Sequence, residues 1–423
     1  MIIKWILGNE DQVRKSSILW NAIGGAFNAC QSAILLIFIS HKIDIYVAGM
    51  VTIAYAIANL YMAIAKYGVR NFQVTDVREK FKFEEYLYGR IFTVILSGLI
   101  AVVYLYFCLK FKDYSLQKIG ICIEILVLKL IDAFEDVYLG GYQQKGRLDI
   151  GAKIMAVRLM ISTALISLCI CLNINIYISL MVGILCSVLL DIWFIRESVH
   201  VLKMVKGKEK KNIVELLKIC FPLCVGSALS IYIGNAPKYM IDSYMDESVQ
   251  AVFGYIMMPV FVIMLLSNFI YQPMVKELGE LWEQKQWKAF KRKNLKQGLA
   301  ILLLMTLVMV AGLTIGLPML SVMYNINLMT YRLEFAMLLV GGGFYALAFY
   351  LNVPITTIRR QKYIAIGYVV AAIASVCFGK LFVCQWGIMG ATSLYMCINL
   401  LLSMIYMIIL AAAVRKEELN FVN

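Results

Sequence analysis

Histidine is almost absent from this chain: there are two, His41 and His200, far apart and at the ends of expected helices. Such a supply builds neither a metal site nor a Ser/His pair, so no cofactor and no enzymatic site is expected. The short alternating segments of a membrane barrel are missing too. No small-residue cleavage site follows the first apolar run, which therefore reads as an uncleaved span and not a signal peptide. The outer loops are all short, which leaves little room for an extracytoplasmic catalytic surface. The 11 cysteines, among them Cys30, Cys122, Cys169, Cys186, Cys220 and Cys397, lie in or beside apolar runs. They read as small core residues, not bridges or ligands.

What is present is apolar. Of 423 residues 62% are hydrophobic, and the mean hydropathy is +0.79. Repeated apolar runs near membrane-spanning length predict an all-α, polytopic membrane protein. Twelve spans are expected, near 17–40, 45–65, 91–109, 117–139, 151–172, 174–195, 213–235, 249–272, 297–323, 333–357, 363–384 and 387–414. The net charge of +14 follows the membrane. With the N-terminus inside, cytoplasmic segments hold 30 of the 40 Lys and Arg residues and the outer loops seven. This split predicts both termini in the cytoplasm, and it makes the basic excess an orientation signal, not a nucleic-acid surface.

One stretch organises the rest: IEILVLKLIDAFEDVYLGGYQQK, 123–145. It has the length of a span, yet carries Lys129, Asp132, Glu135 and Asp136. Lys129 falls close to mid-bilayer, where a lipid-facing charge costs roughly 2.5–3.5 kcal/mol. At 100° per residue Lys129, Asp132 and Asp136 form a narrow stripe with Glu135 at its edge. That stripe must face protein or water. Arg158, in the fifth span, lies at about the depth of Glu135 and Asp136, so a direct pair with a carboxylate is expected. Asp191 is expected near the interface.

Other polar groups fall at span ends and along faces. Asn21, Asn28 and Gln31 lie on one side of the first span, as interhelical hydrogen bonders or as cavity lining. Lys66 and Arg70, four apart, share a face at the inner mouth, either snorkelling to headgroups or capturing a phosphate. The seventh span closes with YIGNAPKYMID (232–242), where Pro237 removes a backbone donor, Asn235 can bond a freed carbonyl, and Lys238 and Asp242 sit at the outer rim. Asn268 lies in the eighth span. Gly341, Gly342 and Gly343 permit close packing or bending of the tenth. The segment 277–293 has the periodicity of a surface-lying amphipathic helix.

The chain divides by sequence into two pseudo-symmetric six-helix lobes, 1–200 and 213–423, joined by a basic cytoplasmic linker, 201–212. The loop QQKGRLDIG (143–151) finds a weak echo in RQKYIAIG (360–367), and two inner loops of about 25 residues follow spans two and eight. Six spans per half gives parallel repeats.

The stretches KYGVRNFQVTD (66–76), DAFEDVYLGGYQQKGRLDIGAK (132–153) and GNAPKYMID (234–242) resemble the bacterial polysaccharide flippases of the Wzx type, within the multidrug/oligosaccharidyl-lipid/polysaccharide exporter superfamily. The resemblance implies a MATE-like fold, a bacterial cytoplasmic-membrane location, and alternating-access flipping of an undecaprenyl-pyrophosphate-linked oligosaccharide for surface polysaccharide. Drug/cation antiporters of the superfamily share the architecture, but favour a carboxylate in the first span, where this chain offers amides. A polytopic polysaccharide-processing enzyme is the remaining alternative.

For a flippase, the candidate substrate ligands are Lys129, Arg158, Lys66, Arg70, Asn21, Asn28, Gln31, Asn235, Lys238 and Asn268. Cations would hold pyrophosphate, and amides the sugars. Asp132, Glu135 and Asp136 would balance charge or couple transport to H+ or Na+. A closed ion network, Lys129 with Asp132 or Asp136 and Arg158 with Glu135, is the alternative role for the same groups. The lipid bilayer is the expected partner, and a monomer the expected state.

Overall fold

The computed structural model describes residues 2–8, 13–76, 80–202, 210–271 and 274–422. Every regular element in them is helical. In order these are α1 (Ile2–Leu7), α2 (Val13–Lys42), α3 (Ile45–Lys66), α4 (Val69–Thr75), α5 (Phe83–Phe111), α6 (Leu116–Gln144), α7 (Leu148–Cys171) and α8 (Ile176–Ser198). Then come α9 (Lys210–Tyr244), α10 (Glu247–Met257), α11 (Val260–Tyr271), α12 (Val275–Glu283), α13 (Trp287–Ala311), α14 (Leu317–Met323), α15 (Arg332–Thr357) and α16 (Gln361–Val422).

Ten helical stretches are long and apolar enough to cross a membrane. α6 has the length but carries more charge. α16 is bent at Gly387, whose backbone is left-handed (φ 57°), a conformation that costs glycine little. Counting α6 and both arms of α16 accommodates the twelve expected crossings.

The chain separates into two compact units, Met1–Ile231 and Tyr232–Asn423. The division falls inside α9. Most of the basic stretch expected as a linker, 203–209, lies outside the described residues.

Within the first unit α3 is the most enclosed helix. Its AGMVTIAYAIA run is mostly small residues, and Ala48, Ile53, Ala54 and Ala58 are fully buried; small side chains let neighbouring backbones close in. Asp44 caps its start, accepting from the Ile45 amide at 2.6 Å. Its end is abrupt: Tyr67 and Gly68 both turn left-handed (φ 52° and 66°) before α4 begins. A side chain at Gly68 would also strike Leu223 of α9. α5 does the opposite, presenting Phe92, Ile95, Leu99, Val103, Tyr106 and Phe107 outward, as a lipid-facing helix should. Around α4 a core of Val69, Phe81, Tyr86, Val137, Tyr142, Phe194 and Leu216 packs one end of the unit.

The second unit is held by different contacts. Gly341 lies against Tyr395, Gly342 against Val260, and Gly343 against Met305. α15 continues unbroken through them, and the glycine trio serves close packing. Gly312–Gly316 forms a π-turn between α13 and α14. The expected amphipathic helix over 277–293 is interrupted: Lys285 is left-handed (φ 56°), which ends α12 at Glu283 and lets α13 start at Trp287. α6–α7 and α15–α16 are each joined by three residues, with a left-handed position at Gly146 and at Arg359.

All eleven cysteines are unpaired, and Cys30, Cys377, Cys384 and Cys397 are exposed, not core. Sulfur tolerates a lipid-facing position, so apolar context alone did not fix burial.

Candidate functional site

The charges of α6 converge on α2, α3, α5, α7 and α8 inside the first unit, in two adjoining groups. Lys129 is 1% exposed and faces no lipid. Its ammonium donates to Gln31 Oε1 at 2.8 Å, Asp132 Oδ2 at 2.8 Å and Asn28 Oδ1 at 3.2 Å. Three acceptors saturate its three donors. Gln31 also donates to Thr163 on α7 at 3.2 Å, and the Tyr55 ring lies 5.5 Å beneath the ammonium.

Arg158 closes the same group from α7. It donates to Asp132 Oδ1 at 2.7 Å and to Glu135 Oε2 from Nη2 and Nε, at 2.5 and 3.0 Å. Asp191 of α8 brings a third carboxylate, 3.4 Å from Arg158 Nε. The expected Arg158–carboxylate contact is thus made with Asp132, Glu135 and Asp191. Asp191 itself is 5% exposed and so belongs to the buried group. Removing one partner from such a buried set costs about 3–5 kcal/mol, because the remaining charge has no water.

The second group has the opposite balance. Asp136 faces three cations: Arg90 Nη2 at 3.0 Å, Arg70 Nη1 at 3.5 Å and Lys66 Nζ at 3.9 Å. Arg90 is fully buried and also donates to the Ala65 carbonyl at 2.9 Å. That carbonyl is freed where α3 ends, and Thr93 shares it at 2.7 Å. Lys66 and Arg70 retain 29% and 26% side-chain exposure. They do not share one helix face as expected. The Tyr67–Gly68 break puts them on α3 and α4, and both still reach Asp136. Gln143 Oε1 accepts from Arg70 at 2.9 Å.

The remaining candidates are dispersed. Asn21 is exposed and Asn28 half-buried on α2, so the three amides do not act as one face; only Asn28 and Gln31 reach Lys129. Asn235 and Lys238 are half-buried on α9 and Asn268 is exposed on α11, all in the second unit. Sequence reasoning missed Arg90, which was placed in the loop before span three. The acidic pair Glu84 and Glu85 in the first turn of α5 is a helix-start signal that would have extended that span.

The second unit has a cavity of its own, about 650 Å3, lined by Tyr271, Trp282, Asn352, Thr356, Arg359 and Gln361. Aromatic faces with a few planar polar groups make an orienting pocket for polar ligands.

No family model and no curated protein matches the chain. Solved structures do. A point mutant of the Vibrio cholerae MATE transporter VcmN aligns with a TM-score of 0.63 at 12% identity, covering 97% of this chain and 98% of that one. A MOP superfamily transporter from Pyrococcus furiosus, described as having a binding pocket of reversed polarity, aligns at 0.57 and 13%, covering 98% and 97%. A multidrug resistance MATE family transporter in an outward-facing conformation aligns at 0.56 and 12%, covering 98% of each chain. At such identities the likeness speaks for the fold. The chain is a multi-pass membrane protein with the fold of MATE transporters of the MOP superfamily.

Proposed function

We propose that this protein is a flippase for a pyrophosphate-linked lipid oligosaccharide, working by alternating exposure to the two sides of the bacterial cytoplasmic membrane with both termini inside. The observation that carries the reading is the cation surplus around Asp136. One carboxylate faces Lys66, Arg70 and Arg90, and two of these cations are partly exposed. A polyanion arriving there would gain charge-assisted hydrogen bonds without first breaking a saturated network. A lipid tail stays in hydrocarbon, but a pyrophosphate cannot cross it unaided.

Lys129 and Arg158 take a supporting role in this reading. Apart from Arg158 Nη1, their donors are engaged by Asp132, Glu135, Asn28 and Gln31, so they hold the frame that positions Asp136 on the same helix. The aromatic and amide-lined cavity of the second unit favours sugars as the cargo's polar part. A cation-coupled antiporter is the second reading; the carboxylate surplus around Arg158 favours it.

Reconstitution with a lipid-linked oligosaccharide and a leaflet-access assay tests the proposal. The double change Lys66→Gln and Arg70→Gln is expected to abolish flipping while leaving the melting temperature near that of the parent. Flipping at the parental rate by that variant would remove the anion site from consideration.

A further inference from the structure

Three carboxylates, Asp132, Glu135 and Asp191, meet two cations, Lys129 and Arg158, in a space where all five side chains are more than nine-tenths buried. Counted by itself, the group carries one negative charge too many; the nearest further cation, Lys66 of the adjoining group, is partly exposed. The group's hydrogen bonding is incomplete on the same side. Both oxygens of Asp191 and Oε1 of Glu135 are buried without a hydrogen-bond donor. Asp191 Oδ1 lies within ion-pair range of Arg158 Nε, but the hydrogens of Nε and Nη2 serve Glu135 and Asp132, and Nη1, though buried without a partner, hydrogen-bonds to neither Asp191 oxygen. A bare carboxylate with no donor and no water is among the most costly groups a protein can enclose, and neutralisation is the usual escape.

We infer that Asp191 and Glu135 together bind one proton, reached through a groove between α5, α6 and α8. The groove has a volume of about 520 Å3, and Asp191 lines it. Its other polar lining groups are Tyr138 and Arg196, among Phe134, Ile131, Val94 and further apolar residues. A proton placed there supplies the missing donor and cancels the surplus charge in one step. The groups facing the pair are Asp132, Tyr138 and Tyr142 from α6, Arg158 from α7 and Lys66 from α3. Arg196 of α8 lies along the groove, and α5 contributes Val94. The titration belongs to the carboxyl pair as a unit. When pH rises enough to strip the proton, the pair regains its uncompensated charge. The site holds for either cargo, and it provides a place for a coupling proton.

The test needs no substrate. Infrared spectra of the purified full chain near neutral pH are compared for the parent, Asp191→Asn, Glu135→Gln and Asp132→Asn. The parent minus D191N difference is expected to contain one protonated carboxyl band that shifts in deuterated water. D191N should melt close to the parent, since an amide imitates a neutral carboxyl, whereas D132N should melt far lower. The proposal is overturned if neither D191N nor E135Q removes a protonated carboxyl. It is overturned equally if D191N fails to fold or loses as much stability as D132N, because Asp191 would then be a needed anion. Stabilisation of the parent but not of D191N by sodium at constant ionic strength would also overturn it, assigning the site to a metal cation.

Discussion

Among the described residues, the first unit buries twelve charged side chains, from Asp76 to Asp191, and the second unit buries none. The second unit encloses tyrosines instead: Tyr255, Tyr324, Tyr350, Tyr395 and Tyr406 are each 1% exposed or less. Tyr255 and Tyr324 stack with centroids 4.0 Å apart. Two halves with related connections have therefore solved the same problem differently. Charges give long-range, geometry-critical cohesion and can hold anions or protons. Tyrosines and glycines give close packing with a hydroxyl at the edge. Under the proposed function the difference would divide the labour: anion and proton handling in one unit, apolar packing and polar-ligand contact in the other.

The largest effect expected from this contrast is at Arg158. Arg158→Met leaves Asp132, Glu135 and Asp191 enclosed with only Lys129 beside them. Loss of about 3–5 kcal/mol is expected, seen as a collapse of detergent-solubilised melting temperature. A change as small as that of a surface variant would break the comparison, because the buried charges would then be holding nothing.

The matching perturbation in the second unit is steric. Gly341→Val pushes a branched side chain against Tyr395. Overpacking of this kind costs about 1–3 kcal/mol, so the variant should melt lower than the parent but above Arg158→Met. An equal or larger loss would mean that glycine packing, and not the ion network, dominates stability.

How much of this was legible in the sequence follows from which forces were local. The α6 stripe was readable because helix periodicity fixes the relative direction of Lys129, Asp132 and Asp136 whatever the tertiary context. The Arg158 pairing was readable because membrane depth aligns neighbouring spans. The Tyr67–Gly68 break was not. Tyrosine rarely turns left-handed, and the close approach of Leu223 to the neighbouring Gly68, 155 positions away, is a tertiary contact that local sequence does not show. Arg90 was missed because hydropathy locates the apolar centre of a span, while helix α5 extends beyond it.

A middle-sized effect separates the units functionally. Trp282→Ala removes an aromatic wall from the second unit's cavity. If that cavity contacts the sugar, apparent affinity for the lipid-linked oligosaccharide weakens roughly tenfold, or ~1.4 kcal/mol, in the leaflet-access assay. Binding of a headgroup analogue lacking sugars should be unchanged. A variant that weakens both equally would place Trp282 in general folding, since it also packs against Trp287 and Phe290.

The smallest effect asks whether charge matters by its presence or by its burial. Lys291 and Glu418 of the second unit pair at 2.6 Å, closer than Arg90 and Asp136 of the first at 3.0 Å. Distance alone would rank the former stronger. Exposure reverses the ranking: the side chains of Lys291 and Glu418 are 50% and 28% exposed, those of Arg90 and Asp136 0% and 9%. Water screens the first pair, and removing one member leaves the other solvated, so Glu418→Gln should cost less than about 1 kcal/mol. Arg90→Gln should cost several times more, since the Ala65 carbonyl and Asp136 both lose a donor that water cannot replace. Equal losses in thermal unfolding would mean that the second unit depends on its charges as much as the first.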